Sequence, residues 1–448
     1  MFEQYAAAAS IPLRDSGKEM ITGNLPTKNV LRFAVAGLAA LLLCCVFCGA
    51  AAADTAVDVY DESALREAVT QPDFNVRLCA DIRLTDYYKT GRDNSLVIPP
   101  AVTKGTIDLN GHTLLYAGVY STQSGDNNGA VIIIKSGELT VNDSSSEKTG
   151  KITGGRGTHT LMTYGQNYLF GGGVYVADGA RLILNGGSIS DNRIDNGGMI
   201  DAAGAGVYAD DYGEVTMNGG SISNNYASAH NGYGAGVHIR RGSFTMTGGT
   251  ISGNIASSSN SVGGGVYLWG NVKFKMTGGV ISGNSANRGG GVYVNSGATF
   301  YVGKSVSIMD NSKNDVALID GHFRTIPKGM LHLTENLNGY VLVAPEDRYR
   351  GPSFGTASSG LSPQTERGII NEKNWKYAAL NGAETNNLVW GDTSPCTWIT
   401  LDWVDEDPFN ENKDKKGTVA IPRGGWGADI TPISKAGNTF TGWYLEGQ

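Results

Sequence analysis

Between residues 171 and 311 the sequence repeats one pattern five times, and this repeat is the feature that most restricts the fold. Each unit opens with a glycine-rich segment such as GGGVYV and closes with a segment such as MTGGTISGN. One isoleucine of the closing segment recurs at intervals of 33, 29, 30 and 27 residues, as Ile189, Ile222, Ile251, Ile281 and Ile308. Because a unit this short cannot bury a core alone, we expect successive units to stack as the coils of a solenoid.

Within each unit the side chains alternate with a period of two, which is typical of strands. Val174 and Val176 face one side and Tyr175 faces the other. Parallel coils stacked about 4.8 Å apart would place each repeated residue on its counterpart in the next coil. The sequence therefore predicts an all-β fold, a parallel β-helix, in which Ile189, Ile222, Ile251 and Ile281 form an interior ladder.

The corners of the predicted coils carry glycine pairs and a recurring asparagine. Pairs such as Gly186–Gly187 fit a sharp bend, which needs positive φ or close backbone approach. A stacked asparagine can hydrogen-bond to the coil above through its side-chain amide. We therefore interpret the recurring asparagines as a structural ladder. They are Asn192, Asn225, Asn254, Asn284 and Asn311.

Composition and cysteine spacing argue against nucleic-acid binding and against a metal site. The chain has 64 glycines, 17% charged residues and a net charge of −7, so nucleic acid is not an expected partner. Of its five cysteines, Cys79 and Cys396 lie outside the N-terminal apolar run and are interpreted as free thiols. No cysteine or histidine spacing resembles a metal site, and we expect no metal or cofactor.

The N-terminal residues 1–53 read as a targeting segment. Twenty-one uncharged residues run from Phe33 to Ala53, preceded by Lys28 and Arg32. The apolar part has the length of a signal-peptide core, and the small residues before Asp54 offer a cleavage site. An uncleaved membrane anchor is the alternative, since the run is just long enough to span a bilayer.

The start of the chain leaves a second alternative. Acidic residues precede Lys28, whereas translation from Met20 would give a short, basic segment before the apolar run.

Weaker copies of the strand and turn pattern extend upstream of the strong repeats. The same strand residues, asparagines and glycines occur in TIDLNGHTL, VIIIK, LTVND and KITGG. Before them, Glu62 to Val69 is predicted to form a short amphipathic helix that would cover the open end of the solenoid. We assign the β-helix to residues 54–328, with strong repeats at 171–311, and interpret residues 329–393 as irregular terminal coils and a linker.

With these repeats, residues 57–320 resemble the pectin lyase-like superfamily of right-handed parallel β-helices. More closely, the GGGVYV…MTGGTISGN units are similar to the repeats of large bacterial and archaeal surface proteins described as adhesin-like. The resemblance implies a right-handed helix and a place at the cell surface.

The C-terminal residues 394–448 resemble a Listeria/Bacteroides repeat, the internalin-type B module. The pattern is a strand, a turn and a closing G-x-x-F-x-G-W-Y, which here is Gly437, Phe440, Gly442, Trp443 and Tyr444. The family implies a small β-grasp-like module and a cell-envelope location. An anchor usually follows such modules, so either the sequence is a piece of a longer protein or the N-terminal segment is the anchor.

Catalysis is the first functional alternative, because many β-helices of this superfamily cleave acidic polysaccharides. Such lyases and hydrolases need clustered acids, with a base in the case of lyases. The acidic pair Asp210 and Asp211 follows one repeat strand, and Arg240 and Arg241 follow the next. We interpret all four as solvated turn residues. The sequence thus predicts a non-enzymatic protein, with a polysaccharide lyase or hydrolase as the alternative.

Binding is the second alternative, based on a column of rings opposite the valines. Aromatic faces suit the apolar C–H faces of sugars, and stacked rings also stabilise one another without a ligand. Both interpretations remain open here, as does a structural stalk with no binding site. The column is Tyr175, Tyr208, His238, Tyr267 and Tyr293.

Taken together, these patterns predict an exported protein of the cell envelope with an adhesive or structural function. Its expected partners are the envelope itself and glycans on a host or neighbouring cell surface.

Overall fold

The computed structural model describes residues 55–85, 94–117, 129–161, 167–195, 201–319, 330–334 and 341–345, and the strands between residues 355 and 422. The chain divides into two units, Met1–Thr55 and Ala56–Gln448. Apart from Thr55, the described residues belong to the second unit. The predicted targeting segment lies outside the described residues, as do the C-terminal residues Gly437, Phe440, Gly442, Trp443 and Tyr444.

The described residues form strands and one helix, α1 (Glu62–Ala68). The N-terminal strands are β1 Val57–Val59, β2 Asp73–Leu78, β3 Ile82–Leu84, β4 Leu96–Ile98, β5 Lys104–Asp108, β6 Thr113–Tyr116, β7 Ile132–Ile134, β8 Glu138–Asn142, β9 Lys151–Thr153, β10 Thr158–Leu161 and β11 Asn167–Phe170.

The strong repeats contain β12 Val174–Val176, β13 Arg181–Leu184, β14 Ser188–Ser190, β15 Arg193–Asp195, β16 Asp201–Ala203, β17 Val207–Ala209, β18 Glu214–Met217, β19 Ser221–Ser223, β20 Tyr226–Ser228, β21 Gly232–Tyr233, β22 Val237–Arg240, β23 Ser243–Met246, β24 Thr250–Ser252, β25 Ile255–Ser257, β26 Val266–Trp269, β27 Lys273–Ser282, β28 Val292–Val294, β29 Thr299–Met309 and β30 Val316–Leu318. The C-terminal strands are β31 Met330–Leu333, β32 Val341–Pro345, β33 Gly355–Ala357, β34 Ile369–Asn371, β35 Ala378–Leu380, β36 Asn387–Trp390, β37 Cys396–Val404 and β38 Asp414–Pro422.

Equivalent strands of consecutive repeats pair in parallel and build two long sheets. One has 10 strands, runs from β4 to β34 and contains the VYV strands β12, β17, β22, β26 and β28. The other has 19 strands and contains both later segments of each repeat, which β27 and β29 join within single long strands. The predicted all-β class and parallel pairing are therefore confirmed. Each coil hydrogen-bonds to the coil before and the coil after it, as expected of a solenoid.

The apolar core follows the register of the repeat. Ile152, Ile189, Ile222, Ile251, Ile281 and Ile308 pair in series, and each has at most 1% of its surface exposed. In the neighbouring column Phe244, Phe274 and Phe300 stack at centroid distances of 4.5 and 4.6 Å. Identical side chains thus meet at the sheet spacing along the interior.

The recurring asparagines stack at a buried corner. The side-chain amide of each donates to Oδ1 of the next at 2.9–3.0 Å, and the backbone N–H of each donates to the same oxygen at 3.0–3.1 Å. The last asparagine, Asn311, donates to the buried carboxylate of Asp315. Along this ladder, Asn192, Asn225, Asn254 and Asn284 are each at most 1% exposed.

The residue before each ladder asparagine has positive φ, between 55 and 65°. Glycine, asparagine and aspartate tolerate this conformation best, which explains why only these types occupy the position. The set is Asp191, Asn224, Gly253, Gly283 and Asp310.

The predicted N-terminal helix is observed as α1. Asp61 caps it, since its side chain accepts a hydrogen bond from the Ala64 N–H at 2.9 Å. Leu65 is fully buried in the main core, and α1 packs against β1, β2 and β3. The helix therefore covers the first strands of the sheets.

The parallel sheets continue beyond residue 328. β31 pairs with β29 and β32 pairs with β30, whereas β35 and β36 pair in antiparallel fashion. In the C-terminal segment β37 and β38 form a separate antiparallel pair, and Cys396 begins β37.

Candidate functional site

The predicted aromatic column lies on the VYV sheet, opposite the interior valines. Its rings are in register along β12, β17, β22, β26 and β28. The sequence prediction treats this column as an outward face that could contact sugars, but most of it is closed to solvent. Tyr208, His238, Tyr267 and Tyr293 are only 1%, 6%, 5% and 2% exposed, and Tyr175 alone is half-buried.

A second layer of chain covers the column. Strands β11, β16 and β21 form a small parallel sheet, and Phe170 of β11 stacks on Tyr208 with a centroid distance of 4.2 Å. Tyr233 of β21 stacks on Tyr267 at 5.4 Å. The column therefore contributes to two apolar clusters outside the main core, in which rings stabilise one another, and a sugar has no open ring face to contact along most of it.

His238 lies in the middle of this covered column, between Tyr208 and Tyr267 at centroid distances of 5.0 and 4.8 Å. Burial, together with the nearby Arg240 guanidinium, lowers the pKa of His238 to about 3. The imidazole is thus neutral at physiological pH and serves as a packing group.

The predicted acidic and basic pairs meet at the turn that follows the VYV strands. Arg240 Nη1 is 3.0 Å from Asp210 Oδ1, and Arg240 Nε is 3.4 Å from Asp211 Oδ1. Arg241 Nη1 donates to Asp211 Oδ2 at 2.9 Å. The prediction that all four are solvated turn residues is wrong for Asp210, Asp211 and Arg240, which are only about a quarter exposed or less because stacked coils bring the two turns together. Arg241 is 48% exposed, as expected of a solvated turn residue.

Aromatic groups flank this ion network on both sides. The Tyr175 hydroxyl donates to Asp210 Oδ2 at 2.9 Å. On the other side the guanidinium carbons of Arg240 and Arg241 lie 5.4 and 5.1 Å from the Trp269 ring centroid, within the range of a cation–π contact.

Two large residues of this turn have an unusual backbone conformation. Tyr212 and Arg241 have φ of 58° and 52°. At the corresponding turn in other coils, the residue with positive φ is a glycine. These glycines are Gly179, Gly270 and Gly297. A left-handed conformation costs a residue with a Cβ roughly 1 kcal/mol, so the two side chains are held there at an energetic cost.

Tyr212 is also the most exposed large apolar side chain among the described residues, at 72%. We call the group Asp210, Asp211, Tyr212, Arg240, Arg241 and Trp269 the Tyr212 corner. It presents an open ring face beside ordered hydrogen-bond donors and acceptors.

Sequence reasoning missed Tyr212 and Trp269 as site residues. Gly213 and Gly242 follow the two strained residues, and each looks like the glycine that would adopt positive φ. In the structure the positive φ lies on the residue before each of these glycines. Gly242 has a different role, because a Cβ there would collide with the Gly213 carbonyl of the previous coil.

The protonation states of the Tyr212 corner suit binding better than proton transfer. Burial, together with the Asp210 charge, raises the pKa of Tyr175, so its hydroxyl stays protonated as a donor. Burial alone would lower the pKa of Arg240, but Tyr208 and the Asp210 and Asp211 carboxylates raise it above its usual value. General acid–base catalysis favours a group whose pKa lies near neutral pH, whereas the pKa of each of these two groups lies far above it.

Among the residues that the structure describes, no group of three or more His, Cys, Asp or Glu side chains could hold a metal ion. Within the same residues, no helix has the length and apolar character needed to cross a bilayer.

Comparison with known proteins identifies no relative: no protein-family model, no curated protein and no solved structure matches the chain.

Proposed function

We propose that this protein is an exported, non-catalytic adhesion protein of the cell envelope, and that it binds glycans at the Tyr212 corner. The observation that carries the proposal is the conformation of Tyr212, which has φ of 58° and is 72% exposed. Internal packing of a ring this exposed offsets little of the backbone cost. Strained residues cluster at functional sites, where a contact outside the folded chain explains their retention.

The corner combines the two kinds of group that a sugar site needs. The open Tyr212 ring offers an apolar face for the C–H surface of a sugar. The Asp211–Arg241 pair beside it supplies an oriented acceptor and donor for sugar hydroxyls, with an N···O distance of 2.9 Å. Binding sites commonly place a few fixed polar groups around an apolar or aromatic surface, and the corner has this composition.

The proposed architecture is a right-handed parallel β-helix with a β-grasp-like C-terminal module, as in adhesin-like surface proteins of the pectin lyase-like superfamily. Parallel pairing in one order from β4 to β34 supports the β-helix. Its right-handed sense is supported by the general rule that parallel crossovers are almost always right-handed. The antiparallel pair of β37 and β38 supports a separate C-terminal module. In this arrangement the coils act as a stalk and present the corner at the cell surface.

A polysaccharide lyase or hydrolase is the second candidate, favoured by the contact of Tyr175 and Arg240 with one carboxylate, that of Asp210. Both groups are protonated at neutral pH, and the carboxylate oxygens already accept hydrogen bonds, so we rank this candidate below binding. Purified protein is expected to release no reducing or unsaturated ends from polysaccharides. Release that is abolished in an Asp210→Asn, Asp211→Asn double variant would establish the enzyme instead.

The binding proposal is tested with Tyr212→Gly on an array of immobilised glycans. Removing the ring should abolish retention, whereas thermal stability should stay equal or rise because glycine adopts positive φ without strain. Tyr60→Ser is the matched control, since Tyr60 is also an exposed tyrosine, at 64%, and lies at the N-terminal end of the coils. Equal glycan retention by wild-type and Tyr212→Gly proteins would refute the corner as the site. Wild-type protein that binds no glycan would refute adhesion through sugars.

A further inference from the structure

We infer that the Tyr212 corner selects neutral glycans and discriminates against acidic ones. This inference rests on the proposed function and concerns the ligand class of the same site. The resemblance to the pectin lyase-like superfamily would suggest the opposite, an acidic polysaccharide. The charges at the corner distinguish between a neutral and an acidic ligand.

The basic groups of the corner are already neutralised by the protein. Arg240 contacts Asp210 at 3.0 Å and Asp211 at 3.4 Å, and Arg241 contacts Asp211 at 2.9 Å. An anionic ligand that approached Arg241 would compete with Asp211 for the guanidinium and would lie beside that like charge. Like charges brought together in a binding site suppress the wrong partner.

The adjacent turns add negative charge. Arg181 pairs with Glu214 at 2.6 Å and with Glu138 of the previous coil at 3.4 Å, so two carboxylates share one guanidinium group. Asp178 precedes Gly179, whose N–H donates to the Asp211 carbonyl oxygen at 3.1 Å, and Asp178 acts electrostatically on Tyr175. The corner and these turns hold five carboxylates and three guanidinium groups, a net charge of −2.

A sugar hydroxyl matches a carboxylate–guanidinium pair better than a carboxylate does. The hydroxyl both donates and accepts, so it can donate to Asp211 Oδ2 while it accepts from an Arg241 N–H. A ligand carboxylate only accepts, which leaves Asp211 Oδ2 without a donor from the ligand. Ion pairs at the corner therefore act as fixed hydrogen-bonding partners for neutral hydroxyls.

The test uses pairs of oligosaccharides that differ only in oxidation at C6, such as galactose and galacturonate oligomers of equal length and linkage, with glucose and mannose pairs alongside. Affinity is measured by calorimetry at low and high salt. We expect the neutral member of the bound pair to bind about tenfold more tightly at low salt. The affinity for the neutral member should change less than about twofold at high salt, because an uncharged ligand has no ionic attraction that salt could screen.

Two variants make the outcome specific to charge. Asp211→Asn removes a competing carboxylate and should raise affinity for the acidic member about tenfold. Arg241→Gln should weaken the neutral member and give no gain for the acidic one, and the unfolding temperature of each variant reports whether it is folded. Tighter, salt-sensitive binding of the acidic member by wild-type protein would overturn neutral selection and leave glycan binding intact. Binding of no oligosaccharide in any pair or on the wider array would overturn the proposed function itself.

Discussion

The asparagine ladder predicts a large loss of stability from one small substitution, Asn254→Ala. Asn254 is fully buried, and its side-chain amide donates to Ile222 O and to Asn284 Oδ1, each at 2.9 Å. Its Oδ1 accepts from the backbone N–H and the side-chain amide of Asn225 at 3.0 and 2.9 Å. One side chain thus joins three consecutive coils.

The magnitude follows from the groups that lose a partner. Alanine at this position leaves two buried donors of Asn225, its backbone N–H and one side-chain amide N–H, without the Oδ1 acceptor that Asn254 supplied. The Asn284 Oδ1 atom still accepts a hydrogen bond from the backbone N–H of residue 254, so it keeps a donor. An unsatisfied buried group costs about 1–3 kcal/mol. With two such groups, we expect the free energy of unfolding to fall by about 2–6 kcal/mol.

Asn218→Ala is the matched control. Asn218 belongs to the same repeat unit as Asn225, but its side chain is exposed and its amide donates to Asn185 Oδ1 at 2.9 Å on the outer surface. Water can replace that bond, so the loss should stay within about 0.5 kcal/mol. Urea unfolding followed by circular dichroism gives both values. Comparable losses for the two alanine variants would refute the reasoning that burial of the ladder determines its contribution.

Three further predictions concern the core, the pH dependence and the N-terminus. Ile251→Asp places an unpaired carboxylate in the interior ladder and should cost several kcal/mol, whereas Ile251→Val should cost about 1 kcal/mol, as urea unfolding will show. Burial alone would raise the pKa of Asp143, but hydrogen bonds from Ser145 and the Gly150 and Gly111 N–H groups hold it below the ordinary value. Its stabilising contribution should therefore be complete above the unfolded pKa of about 3.9 and be lost as the pH falls through the lower folded pKa. In thermal unfolding, Asp143→Asn should differ from wild type at neutral pH and converge with it in acid; a difference independent of pH would contradict this. Finally, the mature chain should begin near Asp54 in N-terminal sequencing, and a surface product that retains Leu41–Leu43 would indicate an anchor instead.

The repeated ladders could be predicted from the sequence because they depend on positions that recur in every unit. The isoleucine spacing determines that Ile222 and Ile251 meet, since parallel pairing puts equivalent residues opposite each other. The ladder asparagines also recur in every unit, and each follows a glycine, asparagine or aspartate. That preceding residue has positive φ and forms a corner of the coil. Local pattern and periodicity thus determined the strand class and the residues that face the core.

The candidate site depends on contacts that no local pattern records. Tyr208 and Tyr267 alternate with aliphatic residues as an exposed strand face would, yet β11 covers Tyr208 and β21 covers Tyr267. The two rings belong to two apolar clusters, each formed by residues that are far apart in sequence. Tyr212 has positive φ although Gly213 follows it, and a Cβ on Gly242 would lie 2.0 Å from the Gly213 carbonyl oxygen, so the neighbouring coil leaves no room for a side chain there. The sequence by itself determined which residues stack. The packing of one coil against the next decided which rings of the aromatic column are covered, while the Tyr212 ring stays 72% exposed.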